Sequence, residues 1–537
     1  MKRIVEMLIH FRKNDAGKYE GRTYNAPELD AVATGSPHYN AQVSKSFSAF
    51  IQEAKDGKMV KTVRIPKQFS SVLRDYQIQG VHWLHFLHHY HFAGILADDM
   101  GLGKTLQALA ILSIHAKSDK PSLIVAPKTL LHNWEHEVSL FAPHFKVKII
   151  DGAQAEREGY IKDAKKYDLI VTSYPALQKD IEVYEKYKHT FNYCVIDEAQ
   201  YIKNPRTKNA HTVRRVACDY RLALTGTPLE NGVEEIWSSF DFLMPGFLGH
   251  HAHFQKHTGN PIMKQSDGAA LARLKTKVQC FMLRRTKEEV LKELPPKIEQ
   301  VLECDLSDEQ NILYQDVLKR VQKDISDQVK KKGFAGSQIH ILAGLTRLRQ
   351  ICNHPALVLP EKKRGSYPSA KLDACMGIIE EMKAENRKVL VFSQFTKMLD
   401  ILAKELNERK IKHSYLSGKT KDRKETVHGF TDDPEKTVFL ISTKAGGVGL
   451  NLTVADAVVI FDPWWNPQVE RQAVDRAHRI GQNKTVNVYR LRTKGTIEEK
   501  IATLQDRKQN LFNALVGDSK DLFKKLTWDD VKSLLSM

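Results

Sequence analysis

Asp98-Asp-Met-Gly-Leu-Gly-Lys-Thr105 follows the apolar run Gly94-Ile-Leu-Ala97 and opens into a helical pattern over Thr105–Ile114. A strand that ends in a glycine-rich loop and restarts as a helix turns backbone N–H groups and a helix N-terminus towards an anion. Such a loop suits phosphate, with Lys104 reaching β- and γ-phosphates and the Thr105 hydroxyl holding Mg²⁺. Asp98, Asp99, Met100, Gly101, Leu102, Gly103, Lys104 and Thr105 are therefore candidate cofactor-binding residues. The pattern departs from the full consensus at its first position, where Asp98 stands in place of glycine. Taken alone, the segment leaves the lesser alternative of an ordinary glycine turn.

A second stretch narrows the reading. Tyr193-Cys-Val-Ile196 reads as a buried strand and runs straight into Asp197-Glu-Ala-Gln200. In a parallel sheet both carboxylates emerge at the carboxyl edge, beside a cradle that follows another strand. Asp197 is placed to hold Mg²⁺ and Glu198 to orient and deprotonate an attacking water. Leu224-Thr-Gly-Thr-Pro228 and Gln472-Ala-Val-Asp-Arg-Ala-His-Arg-Ile-Gly-Gln482 follow in order. On a helix, Arg476 and Arg479 would share one face, as arginine fingers supplied within one chain do. Spacing does not separate that role from a solvated basic helix. Four motifs in this order describe a two-lobed nucleotide motor.

The chain around the motifs has a matching rhythm. From about 70 to 245, the runs Gly94–Ala97, Leu123–Ala126, Leu169–Thr172, Cys194–Ile196 and Arg221–Leu224 alternate with helical patterns such as Leu130–Leu140. Short apolar runs alternating with helices predict a parallel sheet covered on both faces. The rhythm returns from about 371 to 500 with Val389–Phe392, Val438–Ser442, Ala457–Phe461 and Val486–Arg490. The fold class expected is α/β, two similar lobes with parallel sheets covered by helices and helical insertions between them. Residues 230–360 are rich in charge and helix formers, as in Asp308–Lys332, and read as those insertions. Residues 1–65 carry no legible chemistry: turn signals at 15–17 and 35–37 precede a short amphipathic helix from Ser44 to Ala54. The organisation predicted is thus 1–65 extension, 66–245 first lobe, 246–365 helical insertions and linker, 366–515 second lobe and 516–537 helical tail, with an exposed crossing at Glu361–Ser369.

The 537 residues carry a net charge of +18, with 42% hydrophobic and 27% charged residues. That composition is globular, and the positive charge points to a polyanion, most simply nucleic acid. The six cysteines show no paired metal-binding spacing and read as buried free thiols. No apolar run is long enough to span a bilayer. The first ten residues lack a cleavable leader pattern, Glu6 interrupting them, so an intracellular protein is expected.

The sequence resembles the Swi/Snf-type ATPases, a branch of the superfamily-two helicase-like motors. The likeness runs from about Leu73 to Leu491, weakening to about 515. It rests on Leu73-Arg-Asp-Tyr-Gln-Ile-Gln-Gly80, Ala97–Thr105, Leu224–Asn231, Met282-Leu-Arg-Arg-Thr286, Leu294-Pro-Pro-Lys297, Asn353-His-Pro355, Ser442-Thr-Lys-Ala-Gly-Gly-Val-Gly-Leu-Asn451 and Phe461-Asp-Pro-Trp-Trp-Asn-Pro467. The resemblance implies that the two lobes are RecA-like, that Gln77, helped by Arg74, reads adenine, and that Gly449 lies near the nucleotide. It implies that Thr225-Gly226-Thr227, with Gln200 and Gln472, couples hydrolysis to movement, and that Arg476 and Arg479 are the fingers. Thr172-Ser173-Tyr174, Ser393-Gln394 and Ser442-Thr443 would line a nucleic-acid track through phosphate contacts that do not read sequence. ATP with Mg²⁺ is the implied cofactor, and double-stranded DNA with an unidentified DNA-bound protein the implied partners. Translocation without stable strand separation is the implied activity. A strand-separating DNA or RNA helicase and a catalytically weak binding scaffold are the rival readings.

Many members of that family carry histidine where this chain has Gln200; an amide both donates and accepts, so coupling is expected to survive. The Asp-Glu-Ala-Gln form and the lean architecture look prokaryotic, which implies a cytoplasmic, nucleoid-associated protein. Of Trp464 and Trp465, at least one is expected to pack between sheet and helix rather than stack on bases. Lys330-Lys-Lys332 reads as solvated charge. The histidine-rich stretch His82–His91 lacks a coherent set of metal ligands.

Overall fold

The computed structural model describes residues 12–13, 19–20, 62–226, 233–265, 267–359, 367–420, 422–446, 450–465, 467–503 and 528–535. The amphipathic helix expected at 44–54, the turns at 15–17 and 35–37, residues 361–366 of the expected crossing, Thr227 and Gly449 lie outside the described residues. Arg12–Lys13 pairs antiparallel with Tyr19–Glu20. The chain divides into two compact units, one running to Val290 and the other from Leu291.

The first unit is built on seven strands: β1 (Gly94–Leu96), β2 (Ser122–Ala126), β3 (Val147–Ile150), β4 (Leu169–Ser173), β5 (Phe191–Asp197), β6 (Cys218–Leu224) and β7 (Met282–Leu283). Their order is β3-β4-β2-β5-β6-β1-β7, and every pairing is parallel. β2 and β4 are buried along their whole length, as apolar strands covered on both faces must be. The covering helices include α1 (Asp75–His89), α2 (Lys104–Ile114), α3 (Leu131–Phe141) and α4 (Tyr174–Lys186). The register pairs Leu224 with Asp197 on one side and with Leu96 on the other. The segments leaving β5, β6 and β1 therefore emerge side by side at the carboxyl edge, where open α/β sheets place their ligands.

The second unit repeats the plan with β8 (Lys297–Cys304), β9 (Val389–Ser393), β10 (His413–Leu416), β11 (Val438–Ser442), β12 (Ala457–Ile460) and β13 (Val486–Thr493), in the order β8-β13-β12-β9-β11-β10, all parallel. One face packs Val389, Val391, Leu440 and Val459 against Cys375, Ile379, Met398 and Leu402 of the helices Ala370–Ala384 and Thr396–Glu408. The other packs Leu390, Phe392, Ile441 and Val458 against Phe430, Ala473, Val474 and Ala477. The long helix α5 (Asp308–Asn353) breaks at Gly333, whose φ of 70° and ψ of 172° no helix contains. Its apolar side meets Ile497, Ile501, Val531 and Leu534 in a separate core.

Two expectations need correction here. Residues 246–365 are not helical insertion alone: they supply β7 to the first sheet and β8 to the second. β8 escaped notice because Lys-Ile-Glu-Gln-Val-Leu-Glu-Cys is an edge strand with an exposed face, so its polarity mimics a charged helix. Arg476 and Arg479 do not share a helix face either. α6 (Pro467–Val474) ends before them, and both lie in the turns that follow. The Arg476 carbonyl accepts from Leu452 N at 3.0 Å, and Gln482 Nε2 donates to the carbonyls of Thr453, Ala455 and Ala477. The segment is folded against the 450–455 loop instead of continuing the helix.

Candidate active site

The cradle loop is fastened from three sides. Gly103 takes φ +73° at the start of α2, and a Cβ there would lie 2.3 Å from Gln77 Nε2, so glycine is required twice over. Gln77 is buried; its Nε2 donates to Leu102 O at 3.0 Å and its Oε1 accepts from Arg74 N at 2.9 Å. Tyr76 hydroxyl donates to the same Leu102 carbonyl at 3.1 Å. Lys104 Nζ donates to the carbonyls of Asp98 (2.6 Å) and Asp99 (3.1 Å) across the loop. Burial pushes the Lys104 ammonium below its ordinary pKa, against the pull of the Glu198, Asp98, Asp197 and Asp99 carboxylates.

Asp98 has a different place from the one its motif position suggested. Its carboxylate is fully buried behind the loop, receiving Arg285 Nε at 2.9 Å, Arg285 Nη2 at 2.5 Å and Gln107 Nε2 at 3.1 Å. Arg285 follows β7, whose neighbouring backbone is bonded to the cradle: Ala97 N donates to Leu283 O and Asp99 N to Arg285 O. Asp98 therefore fills the glycine position of the consensus as a structural brace, and Arg285 and Gln107 are the partners that make an acid tolerable there. Sequence reading passed over both. Arg285 was visible inside the Met282–Thr286 motif, but nothing in its spacing ties it to a residue nearly two hundred positions earlier.

Beside the cradle, Glu198 takes a left-handed conformation (φ 54°) at the end of β5. Its N–H donates to Asp197 Oδ1 at 2.9 Å. Gln200 Nε2 donates to Glu198 Oε2 at 2.6 Å, and Gln200 Oε1 accepts from Thr225 Oγ1 at 3.2 Å. The amide thus uses both of its ends, linking the acidic segment to the one after β6. Gly226 packs on the cradle itself: a Cβ there would meet Met100 Cγ at 2.5 Å. Burial, and then the Glu198 charge, push Asp197 up to about 7 despite the Trp134 indole N–H and Lys104. Asp197, once ionised, and the Thr105 hydroxyl in the first turn of α2 are oxygen donors of the kind a hard divalent cation takes.

The other residues expected to act are placed as follows. Thr172, Ser173 and Tyr174 end β4 and begin α4, with all three side chains buried. Thr172 Oγ1 donates to Ile150 O, Ser173 Oγ caps α4 by accepting from Ala176 N, and Tyr174 hydroxyl donates to Asp197 O. In the second unit Ser393, Ser442 and Thr443 are buried at the carboxyl ends of β9 and β11. Ser393 hydroxyl and Gln394 N–H both donate to Asp462, and Arg349 of α5 donates to Gln394 Oε1 and Pro463 O. Trp465 lies with its ring 5.4 Å from the Arg349 guanidinium and packs on the α5 core. Gln472 is half-buried on α6, Arg476 is buried, and Arg479 Nη1 donates to Leu450 O at 3.5 Å. The histidine-rich stretch lies on α1 away from the cradle, where His88 stacks on His115 (3.5 Å) and Tyr220 (3.9 Å).

Fold and site together define a nucleotide-binding core of two parallel α/β units, with a phosphate cradle and paired acids in the first. Residues 76–357 match the model of the SNF2-related domain, and residues 370–481 that of the helicase conserved C-terminal domain. The chain belongs to the SNF2-related family of helicase-like ATPases. The TATA-binding protein-associated factor MOT1 of Saccharomyces cerevisiae is 39% identical over 87% of this chain and 29% of its own length. An uncharacterized ATP-dependent helicase of Mycoplasma genitalium is 39% identical over 86% of this chain and 44% of its own. This chain therefore spans less than half of either relative. Among solved structures, the Sulfolobus solfataricus SWI2/SNF2 ATPase core in complex with dsDNA is 36% identical, covering 89% of this chain and 98% of that one, with a TM-score of 0.43.

Proposed function

We propose that the chain is the motor of an ATP-dependent translocase on double-stranded DNA that remodels or displaces proteins bound to it. The observation that carries this reading is the relay from Thr225 through Gln200 to Glu198 beside the cradle. A pure binding scaffold has no use for a base held by the segment that follows the next strand. ATP binds on the cradle loop with Mg²⁺ held by Thr105 and Asp197, and Glu198 orients the attacking water. Arg476 and Arg479 serve as fingers from the second unit, so hydrolysis is completed when the halves close and released when they open. Thr225-Gly226-Thr227, Gln200 and Gln472 transmit that cycle.

The net charge of +18 supports a polyanionic track. Because the side chains of Thr172, Ser173, Ser393, Ser442 and Thr443 are buried, phosphate contacts at these strand ends fall to backbone N–H groups, which hold a strand without reading sequence. The name TATA-binding protein-associated factor among the relatives supports a DNA-bound protein as the target. The Mycoplasma relative supports a bacterial cytoplasm as the setting, and the nucleoid is the duplex track that setting offers. The test is the steady-state ATPase rate with duplex DNA, single-stranded DNA, RNA or no polymer, beside Glu198→Gln. Strong stimulation by duplex DNA that vanishes in the variant is expected. Preference for single strands or RNA moves the assignment to a strand-separating helicase, and absence of hydrolysis throughout refutes both.

A further inference from the structure

Asp197 is gripped at both ends by side chains from two other strand-to-helix junctions. Trp134, on α3 after β2, donates its indole N–H to Asp197 Oδ2 at 2.9 Å. Tyr174, the first residue of α4 after β4, donates its hydroxyl to the Asp197 backbone carbonyl at 2.8 Å. Both side chains are 1% exposed. The strand order β4-β2-β5 sets these three carboxyl ends next to one another, so the grip is a product of the sheet and not of a mobile loop. Tyr174 is locked further by stacking on Tyr201, with centroids 5.1 Å apart and ring planes 8° from parallel.

Packing alone does not account for these two residues. A phenylalanine fills nearly the same space as Tyr174, and an apolar side chain would suffice to fill the Trp134 site, whereas a buried indole N–H or phenol needs a polar partner. Both find it in the same aspartate. A carboxylate at a metal site takes its orientation from the donors bonded to its remaining oxygens. Here Trp134 and the Glu198 N–H occupy one position on each oxygen, which fixes the direction of the lone pairs left for a cation.

We propose that Trp134 and Tyr174 are positioning residues that set the Mg²⁺-binding geometry of Asp197. The inference rests on the reading of Asp197 as the Mg²⁺ ligand. It also gives Tyr174 a role other than the track contact its motif implied. Ser173 caps α4 and Tyr174 begins it, so a phosphate backbone held at this helix start is one buried hydroxyl away from the Asp197 backbone carbonyl. Duplex occupancy on the first unit would then be felt as a shift of Asp197.

The test uses the full chain, a fluorescent ADP derivative and magnesium chloride, comparing Trp134→Phe, Tyr174→Phe and Asp197→Asn with the parent. Nucleotide affinity is measured in EDTA and again across a Mg²⁺ titration, with far-UV circular dichroism and the denaturation midpoint as controls on folding. Both phenylalanine variants are expected to bind ADP normally in EDTA but to need about 10–100-fold more Mg²⁺ for the half-maximal effect. Excess Mg²⁺ is expected to restore their turnover. If Asp197→Asn keeps the Mg²⁺ dependence of the parent, the ligand reading fails and the proposal with it. If Asp197→Asn loses that dependence while both phenylalanine variants keep it unchanged, the proposal alone is overturned. A parallel fall of affinity in EDTA and in Mg²⁺ marks mere packing and overturns it equally. Tyr174→Phe, which keeps ring and stack, decides the matter if Trp134→Phe does not fold.

Discussion

Replacing Arg285 by methionine removes the cation that lets Asp98 stand where a phosphate loop ordinarily has glycine. The Asp98 side chain is 0% exposed, and without Arg285 its carboxylate keeps only the Gln107 amide, at 3.1 Å. Arg285 also donates to Tyr76 O and to Gln107 Oε1, so those acceptors lose a donor at the same time. Removing one partner of a buried pair costs about 3–5 kcal/mol, because the other charge is left without compensation. Asp98→Gly should cost a similar amount by stranding the guanidinium. The double variant, which returns the loop to the glycine pattern and removes both charges, should recover about half or more of the summed loss. The assay is a denaturant melt of the four proteins, followed through the signal of the first unit, with ADP affinity measured alongside. Single losses below about 1 kcal/mol, or strict additivity in the double variant, would refute the idea that Asp98 is a brace and not a ligand.

Four further outcomes follow from the geometry. Gly103→Ala forces a side chain into the left-handed region, at about 1–2 kcal/mol, and drives its Cβ into the Gln77 amide; ADP affinity should fall about tenfold in a direct binding titration. Gln200→Ala cuts the link between Thr225 and Glu198, and single-turnover hydrolysis should slow about tenfold, the worth of one ordinary hydrogen bond, with ADP affinity kept. Lys371→Met strands the fully buried Glu498, to which it is paired at 2.6 Å; a loss of about 3–5 kcal/mol is expected in the melt of the second unit, partly relieved by adding Glu498→Leu.

The fourth concerns pH. Burial, with His115, His85, His91 and Lys117 near by, holds His88 down to about 3, and burial with His85 and Lys117 holds His115 down to about 4. Below the ordinary imidazole value near 6.5 the unfolded chain therefore takes up protons that the folded first unit refuses. Stability should be full above that value and fall as pH drops from about 6.5 towards 4, by at most about 1.4 kcal/mol per pH unit for each ring, and by less because both rings are partly exposed. Melts at pH 7.5 and 5.5 check this, and His115→Gln should flatten the slope.

The legibility of the fold in the sequence has a physical boundary. Each of the nine strands read from apolar runs lies in the interior of its sheet, where both faces must be apolar. β3, β7, β8 and β10, which were not read, are the four edges. Val147-Lys-Ile-Ile150 and His413-Ser-Tyr-Leu416 are short and mixed because an edge is covered only in part. The α/β reading of two similar units followed from the interior alone. At the site, Lys104, Asp197 and Glu198 could be placed because Asp197 ends β5, Glu198 follows it, and Lys104 opens the helix after the loop that leaves β1, so local sequence fixes where each emerges. Arg285 and Trp134 could not, since their partners are set by strand order, a property of the sheet that no local pattern encodes. The helix expected beneath Arg476 and Arg479 failed for a related reason: Gln482 ties their segment to the 450–455 loop through contacts that spacing does not reveal.

The most direct test of the motor reading separates movement along a duplex from opening it. A duplex carrying a triplex-forming third strand is incubated with the protein and ATP, in parallel with a tailed duplex whose strands would part under a helicase. The account predicts ATP-dependent release of the third strand, absent in Glu198→Gln, with the tailed duplex left intact. Release of single strands from the tailed duplex without displacement of the third strand would contradict it.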